Sequence, residues 1–327
     1  MGQAVAMVDV RRGDIVESRH LGHAVICDEM GQVVQAWGDP SALIYPRSAC
    51  KMIQALPLVE SGAADRAGLT AEHLALACAS HNGARIHTDR VTRWLADLGL
   101  GEGDLRCGSH LPYDEDRAHE MIRAGETPCQ IHNNCSGKHC GFLTLARDMK
   151  AGPEYVEVDH PVQKAALEAF KRTTGEASPG WAVDGCSAPN FQTTLLGLAR
   201  AMAGFAAAGD GPKARLRDAM MAHPDLVAGE GRACTELMRA AREPLALKTG
   251  AEGVFTAILP GRRLGLALKI ADGATRASEC ATAAILVALG ALERDHPATK
   301  KRLDAPIVSR RGIPAGRISA AEGLISG

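Results

Sequence analysis

A hydroxyl and an amine stand three residues apart in Ser48-Ala49-Cys50-Lys51, and a second amine stands in Lys248-Thr249-Gly250. On a helix, residues at i and i+3 project from one face, so the Lys51 amine can reach the Ser48 hydroxyl. A serine is a weak nucleophile until a base takes its proton, and a neutral lysine amine can be that base. Free lysine titrates at about 10.4, so such a base needs burial or a neighbouring cation to be neutral at work. A second lysine, delivered by a strand, can crowd the first amine or hold a second hydroxyl. The chemistry this predicts is acyl transfer on an amide, with Ser48 as nucleophile and Lys51 as base. A helix N-cap is the alternative role for Ser48, which follows Pro46-Arg47 at a predicted helix start.

The elements that must carry these groups follow from local pattern. His23–Asp28 and Gln32–Trp37 alternate as strands around a turn at Glu29-Met30-Gly31. A helix is predicted from Ser48 to about Glu60, bent by Pro57, and another from Ala71 to about Ala79 with Thr70 as cap. Ser80-His81-Asn82-Gly83 ends that helix, and the next runs from about Thr88 to Leu98. Further helices are predicted from near Gly137 with Ser136 as cap, from Pro161 to Gly175, and from Asn190 to about Phe205. Gly209-Asp210-Gly211-Pro212 is the stretch most like a linker. Leu245–Thr249, Val254–Leu259 and Leu264–Ile270 read as strands, and a long apolar helix from about Thr275 to Leu292 follows them. The expected fold is α/β (α+β), an antiparallel sheet flanked by helices. One domain over 1–327 is expected, its sheet built from both chain ends and its helical middle at about 70–245.

Composition is ordinary for a packed soluble protein: 327 residues, 46% apolar and 23% charged. A formal net charge of −1 supplies no basic field for nucleic acid or anionic membrane. No apolar run approaches the roughly 20 residues that span a bilayer, and the first residues lack the pattern of a signal peptide. A cytoplasmic location is therefore expected, with the ten cysteines as reduced thiols. Cys27, Cys78 and Cys280 lie in apolar stretches and read as small hydrophobes.

Ser-x-x-Lys and Lys-Thr-Gly occur together in penicillin-binding proteins and class A β-lactamases. Here they stand among Arg47-Ser-Ala-Cys-Lys51, Cys78-Ala-Ser-His81, Asn133-Asn-Cys-Ser-Gly-Lys-His139, Asp184-Gly-Cys-Ser-Ala-Pro189 and Lys248-Thr-Gly-Ala-Glu-Gly253. Over nearly its whole length the chain resembles the rhizobial-type, or class 3, L-asparaginases. The resemblance implies a fold similar to serine β-lactamases, a homodimer, and one zinc ion per subunit beside the catalytic serines. Met52 and Ala84 depart from the family pattern, where a proline and an acidic residue are expected.

The resemblance implies an L-asparagine amidohydrolase that releases ammonia and L-aspartate through a serine ester. Ser80 and Lys248 would form a second Ser–Lys couple able to pass a proton to the leaving ammonia, and the two couples could exchange roles. Lys269 is a rival for the place of Lys248. Backbone N–H groups of Ser48 and Ala251 are the candidate oxyanion donors. For the substrate's carboxylate and ammonium the candidates are Arg47, His81 and Asp184, an ordinary surface ion pair being the alternative for Arg47.

The resemblance also implies zinc held by Cys135, Lys138 and Cys186, with Asp184 orienting from behind. By residue type alone, two cysteines are few for a structural zinc site, and a pair of free thiols is the other reading. A lysine ligand must lose its proton, which a divalent cation can enforce. His132 and His139 flank the run in supporting roles. Other readings are a glutaminase of the same fold, a penicillin-recognising enzyme, which would need export, and a non-catalytic zinc- or amino-acid-binding protein.

Overall fold

Segments near both ends of the chain pair into one antiparallel sheet of eight strands. They are β1 (Val5–Arg12), β2 (Ile15–Cys27), β3 (Val33–Trp37), β4 (Ala246–Thr249), β5 (Val254–Leu259), β6 (Leu264–Ile270), β7 (Ala305–Val308) and β8 (Pro314–Ala320). The order is β7-β8-β1-β2-β6-β5-β4, with β3 also on β2. The computed structural model describes residues 2–325, which divide into two compact units. The sheet belongs to the first, made of the residues up to Ala49, Thr193–Ala207, and those from Glu236 onward.

β2 is long enough, at 13 residues, to serve three neighbours. Its first part pairs with β1 as far as Val5↔Gly22, and its last part lies between β6 (Gly265↔Cys27) and β3 (Ala24↔Trp37). The turn to β3 is closed by Gly31 N–H donating to the Asp28 carbonyl, with Gly31 at φ +74°. β5 is buried along its whole length, which an antiparallel strand reaches only when both sheet faces are covered. Helices Leu195–Ala207 and Thr275–Ala288 pack on the sheet. The first comes so close that a Cβ on Gly265 would lie 2.0 Å from Ala203 N and 2.5 Å from Ala199 O. Only glycine allows that approach.

The second unit, Cys50–Gln192 with Ala208–Thr235, is helical around the helix Ser136–Asp148. Every residue of that helix from Ser136 to Ala146 is buried. Helix Ala71–Ala77 packs against it, and Gly137 makes the contact possible, since a Cβ there would meet Leu76 O at 2.5 Å. Helices Arg85–Asp97, Pro161–Thr174 and Gly211–Ala222 complete the layer, with a small hairpin of Trp181–Val183 and Pro189–Phe191.

Several local expectations are corrected. The helix expected over 48–60 is a 3-10 turn Arg47–Cys50 followed by short helices Lys51–Gln54 and Leu56–Glu60. Pro57 lies in the first turn of the last piece, where its missing N–H costs nothing. The helix expected from Asn190 begins only at Leu195; Pro189–Phe191 and Thr193–Thr194 are strands, the latter paired with Leu43–Ile44. Paired β-branched residues there outweigh the helical reading. The linker-like Gly209–Pro212 instead opens the helix Gly211–Ala222, with Pro212 in its first turn. β1, β7 and β8 were not expected at all: their residues are half exposed and carry no strong alternation. Among the described residues no helix is long and apolar enough to cross a membrane.

Candidate active site

The second unit centres its polar chemistry on Lys51, only 1% exposed at the start of helix Lys51–Gln54. Its amine lies 3.0 Å from Ser80 Oγ and 3.0 Å from Cys135 Sγ, and also donates to the Ala79 carbonyl. These partners come from two other elements: the end of helix Ala71–Ala77 and the N-cap of helix Ser136–Asp148. All three are groups that need carry no charge.

The segment bearing Ser80 is held from both sides. Ser80 N–H donates to Val227 O at 2.9 Å and Asn82 N–H to Ala228 O at 2.8 Å, while His81 N–H turns the other way, to Asn134 O at 3.1 Å. This alternation is that of an extended strand. Asn82 Oδ1 accepts from Ala84 N–H, and its amide donates to Asp114. His81 was expected at the substrate. The ring is wholly buried, takes Gly83 N–H on Nδ1 at 3.2 Å and donates from Nε2 to Ser136 Oγ at 2.9 Å. Burial, reinforced by the stacked His87 ring 4.8 Å away, holds its pKa well below the usual histidine range.

Beside Lys51 lies a sulfur–amine cluster. Lys138 Nζ is 3.0 Å from Cys186 Sγ. The hydrogen bond from Cys135 and the Lys138 charge hold Cys186 as a thiolate despite burial. Cys135 is pushed up by that same bond and by burial, so it stays a thiol. Burial alone would lower the Lys138 pKa, but the two sulfurs and the Asp184 carboxylate outweigh it and raise it. His139 Nδ1 lies 2.8 Å from the Tyr155 hydroxyl, which accepts from Arg106 N–H. Burial drops the His139 pKa to about 4, against the opposing pull of the Cys186 sulfur. Cys50, inside the Ser-x-x-Lys run, is buried and pushed up to about 12. Among the described residues no three His, Cys, Asp or Glu side chains gather as metal ligands. A metal here would depend on Lys138 beside the two sulfurs, a soft donor set that suits zinc.

Asp184 sits in the hairpin turn after Val183, its N–H bonded to Ala188 O and its Oδ1 accepting Gly185 N–H. That turn presents Cys186, and Ser187 adopts φ +67° to close it.

The first unit holds Arg47, Ser48, Lys248 and Ala251. Thr256 Oγ1 binds both Ala49 O, at 3.1 Å, and Lys248 O, at 3.3 Å, so β5 ties the residue after Ser48 to β4. Gly250 lies against the same segment: a Cβ there would meet Pro46 O at 2.9 Å and Ala49 N at 3.0 Å. The Lys248 amine is buried and donates to Thr249 O at 2.7 Å. Lys269 instead caps the turn, binding the carbonyls of Glu252 and Ile270. Arg47 has φ +51°, and its guanidinium stands 4.0 Å from the exposed Glu252 carboxylate. Cys135 as a partner of Lys51 was missed by sequence reasoning, and so were Ser136 and His87. Only their place in or near the Asn133–His139 run marked the first two.

The family model of L-asparaginase II matches residues 8–320. The chain belongs to the L-asparaginase II family. The match takes in Ser48, Lys51, Ser80, the sulfur–amine cluster and Lys248 alike. No curated protein sequence matches it. Among solved structures, Mglu in its native form aligns at 14% identity and TM-score 0.47, covering 84% of this chain and 66% of that one. Mglu in its tris and glutamate form aligns at 13% identity and TM-score 0.49, covering 90% and 64%. A β-lactamase from Mycobacterium bovis aligns at 14% identity and TM-score 0.45, covering 81% and 94%. The chain thus spans less than two thirds of either Mglu structure. With TM-scores below 0.5, these similarities decide nothing about the chemistry of this L-asparaginase II family member.

Proposed function

We propose that this chain is an amidohydrolase that cleaves L-asparagine to ammonia and L-aspartate through an ester on serine. The observation that carries the reading is the 3.0 Å approach of the buried Lys51 amine to Ser80 Oγ. A neutral Lys51 can donate to Ala79 O and Cys135 Sγ and use its lone pair to accept the Ser80 proton, which is the task of a general base. The freed alkoxide adds to the side-chain carbonyl carbon. The tetrahedral oxyanion needs backbone N–H donors, for which Ser48 and Ala251 remain the candidates. Collapse returns the proton to the amide nitrogen, ammonia leaves, and water then cleaves the ester.

Ser48 and Lys248 are proposed as the second couple, supported by the Thr256 tie between Ala49 and Lys248. The commitment of Lys269 to turn carbonyls favours Lys248 over it. Zinc is proposed on Cys135, Cys186 and Lys138; when bound, it supplies a Lewis-acid charge beside the substrate. Asp184 and Arg47 are proposed for the substrate's ammonium and carboxylate. A homodimer is proposed on family grounds.

The test is mass spectrometry of protein quenched during turnover of L-asparagine. An aspartyl adduct on Ser80 or Ser48 is expected. Turnover with neither adduct overturns covalent catalysis, and no ammonia from L-asparagine overturns the substrate. A glutaminase would release ammonia faster from L-glutamine in the parallel assay.

A further inference from the structure

Lys51 has two side-chain partners, Ser80 and Cys135, and each is followed in the chain by a residue that binds the other's neighbour. His81 Nε2 meets Ser136 Oγ at 2.9 Å. The direction of this bond is fixed by what lies at either end. His81 Nδ1 accepts Gly83 N–H, so the ring proton sits on Nε2. Ser136 Oγ donates to Ile131 O at 2.9 Å, so it accepts from the ring. A second link runs parallel, from His81 N–H to Asn134 O at 3.1 Å. His81 and Ser136 are both 0% exposed, where water cannot replace a lost partner.

We infer that the His81–Ser136 pair is a positioning strut: it fixes the distance between Ser80 and Cys135, and so holds both at the Lys51 amine. The geometry gives the strut its leverage. Ser80 is otherwise anchored by its own N–H to Val227 O, and Cys135 by its N–H to Asn133 Oδ1 at 2.8 Å. Those anchors belong to different parts of the unit. The 81–136 and 81–134 bonds join the serine segment directly to the turn that bears the thiol. The hydrogen bonds of the Lys51 amine go to Ala79, Ser80 and Cys135, so His81 and Ser136 act through their chain neighbours. The inference rests on the reading of Ser80 as a hydroxyl served by Lys51, and it deepens that reading by naming what sets the contact.

The test measures Ser80 reactivity without the proposed substrate. Wild type, His81→Asn, His81→Gln, Ser136→Ala and the His81→Asn/Ser136→Ala double variant are treated with diisopropyl fluorophosphate, and adducts are mapped to residues by mass spectrometry. His81→Asn keeps an oxygen for Gly83 N–H and loses the donor to Ser136. His81→Gln can still extend an N–H to Ser136. Ammonia release from L-asparagine and thermal melting are recorded in parallel.

The strut predicts that His81→Asn and Ser136→Ala each slow Ser80 labelling by roughly 10- to 100-fold, the usual effect of losing an orienting partner. The double variant should be no slower than the worse single one, because both break one bond. His81→Gln should recover part of the rate, and the kcat for ammonia should fall while KM holds. Labelling at the wild-type rate in folded Ser136→Ala, multiplying effects in the double variant, no recovery by His81→Gln, or no Ser80 adduct in wild type overturns the inference. Unfolding of His81→Asn leaves Ser136→Ala to decide. Wild type that labels Ser80 yet releases no ammonia refutes the asparaginase reading while leaving the strut standing.

Discussion

Lys51 Nζ and Ser80 Oγ, 29 residues apart in the chain, stand 3.0 Å apart in the folded protein. The motif that draws the eye joins Lys51 to Ser48, yet the hydroxyl the fold brings to this amine in the second unit is Ser80. The consequence is kinetic. Lys51→Met and Ser80→Ala should each lower kcat for ammonia release on the order of 10⁴-fold, and the double variant should be no worse. Ammonia assays on the three proteins, with melting curves to confirm folding, check this.

Metal content tests the sulfur–amine cluster. Wild type purified with zinc and then dialysed should retain about one ion per chain, as expected of a site with two thiolate ligands. Cys186→Ser and Cys135→Ser should lower retention 10-fold or more, roughly the penalty of losing a strong ligand. Ser80→Ala should keep the metal. Elemental analysis reads all four, and a zinc-free wild type removes the metal from the proposal.

Selectivity follows from pocket size. Glutamine is one methylene longer than asparagine, and a pocket that excludes it by shape alone gains about 10- to 200-fold in kcat/KM. Paired assays on the two amides give the ratio, and a preference for glutamine reverses the substrate assignment.

Acid should weaken the fold through its buried histidines. Burial lowers the pKa of both His81 and His87, so the native state resists protonating them. The unfolded chain takes up those protons below about pH 6.5, so it binds more protons than the native state does. Stability therefore falls as pH drops from about 6.5 toward the lowered native values, at up to about 1.4 kcal/mol per pH unit per group. Urea titrations at pH 7, 6 and 5 should show this slope, and His87→Gln should flatten it.

Gly265 tests the sheet. With a Cβ there 2.0 Å from Ala203 N, Gly265→Ala must push helix Leu195–Ala207 off β6. A loss of at least about 2 kcal/mol is expected, as for other forced overpacking. An unchanged denaturation midpoint would show that the helix can yield.

The strands at 254–259 and 264–270 and the turn at Gly31 were legible because apolar runs and turn residues act locally. β1, β7 and β8 were not, because Val5–Arg12 becomes a strand by pairing with Ile15–Gly22 on one side and Gly316–Ala320 on the other. Half-exposed residues paired across three hundred positions leave little trace in a local window. The same limit misassigned Thr193–Thr194, whose partners are Leu43–Ile44.

Residue types and spacing by themselves determined which chemistry was on offer: hydroxyls, amines and thiols in five short runs, and with them the family. Tertiary structure decided which of those groups meet. It gave Lys51 to Ser80 and Cys135, set Cys186 against Lys138, and tied His81 into a buried bond with Ser136. Such pairings depend on helix packing and loop anchoring between residues 29 to 84 positions apart. Local propensity acts over a few residues, and only the folded core can spend its burial energy on bringing distant polar groups within 3 Å.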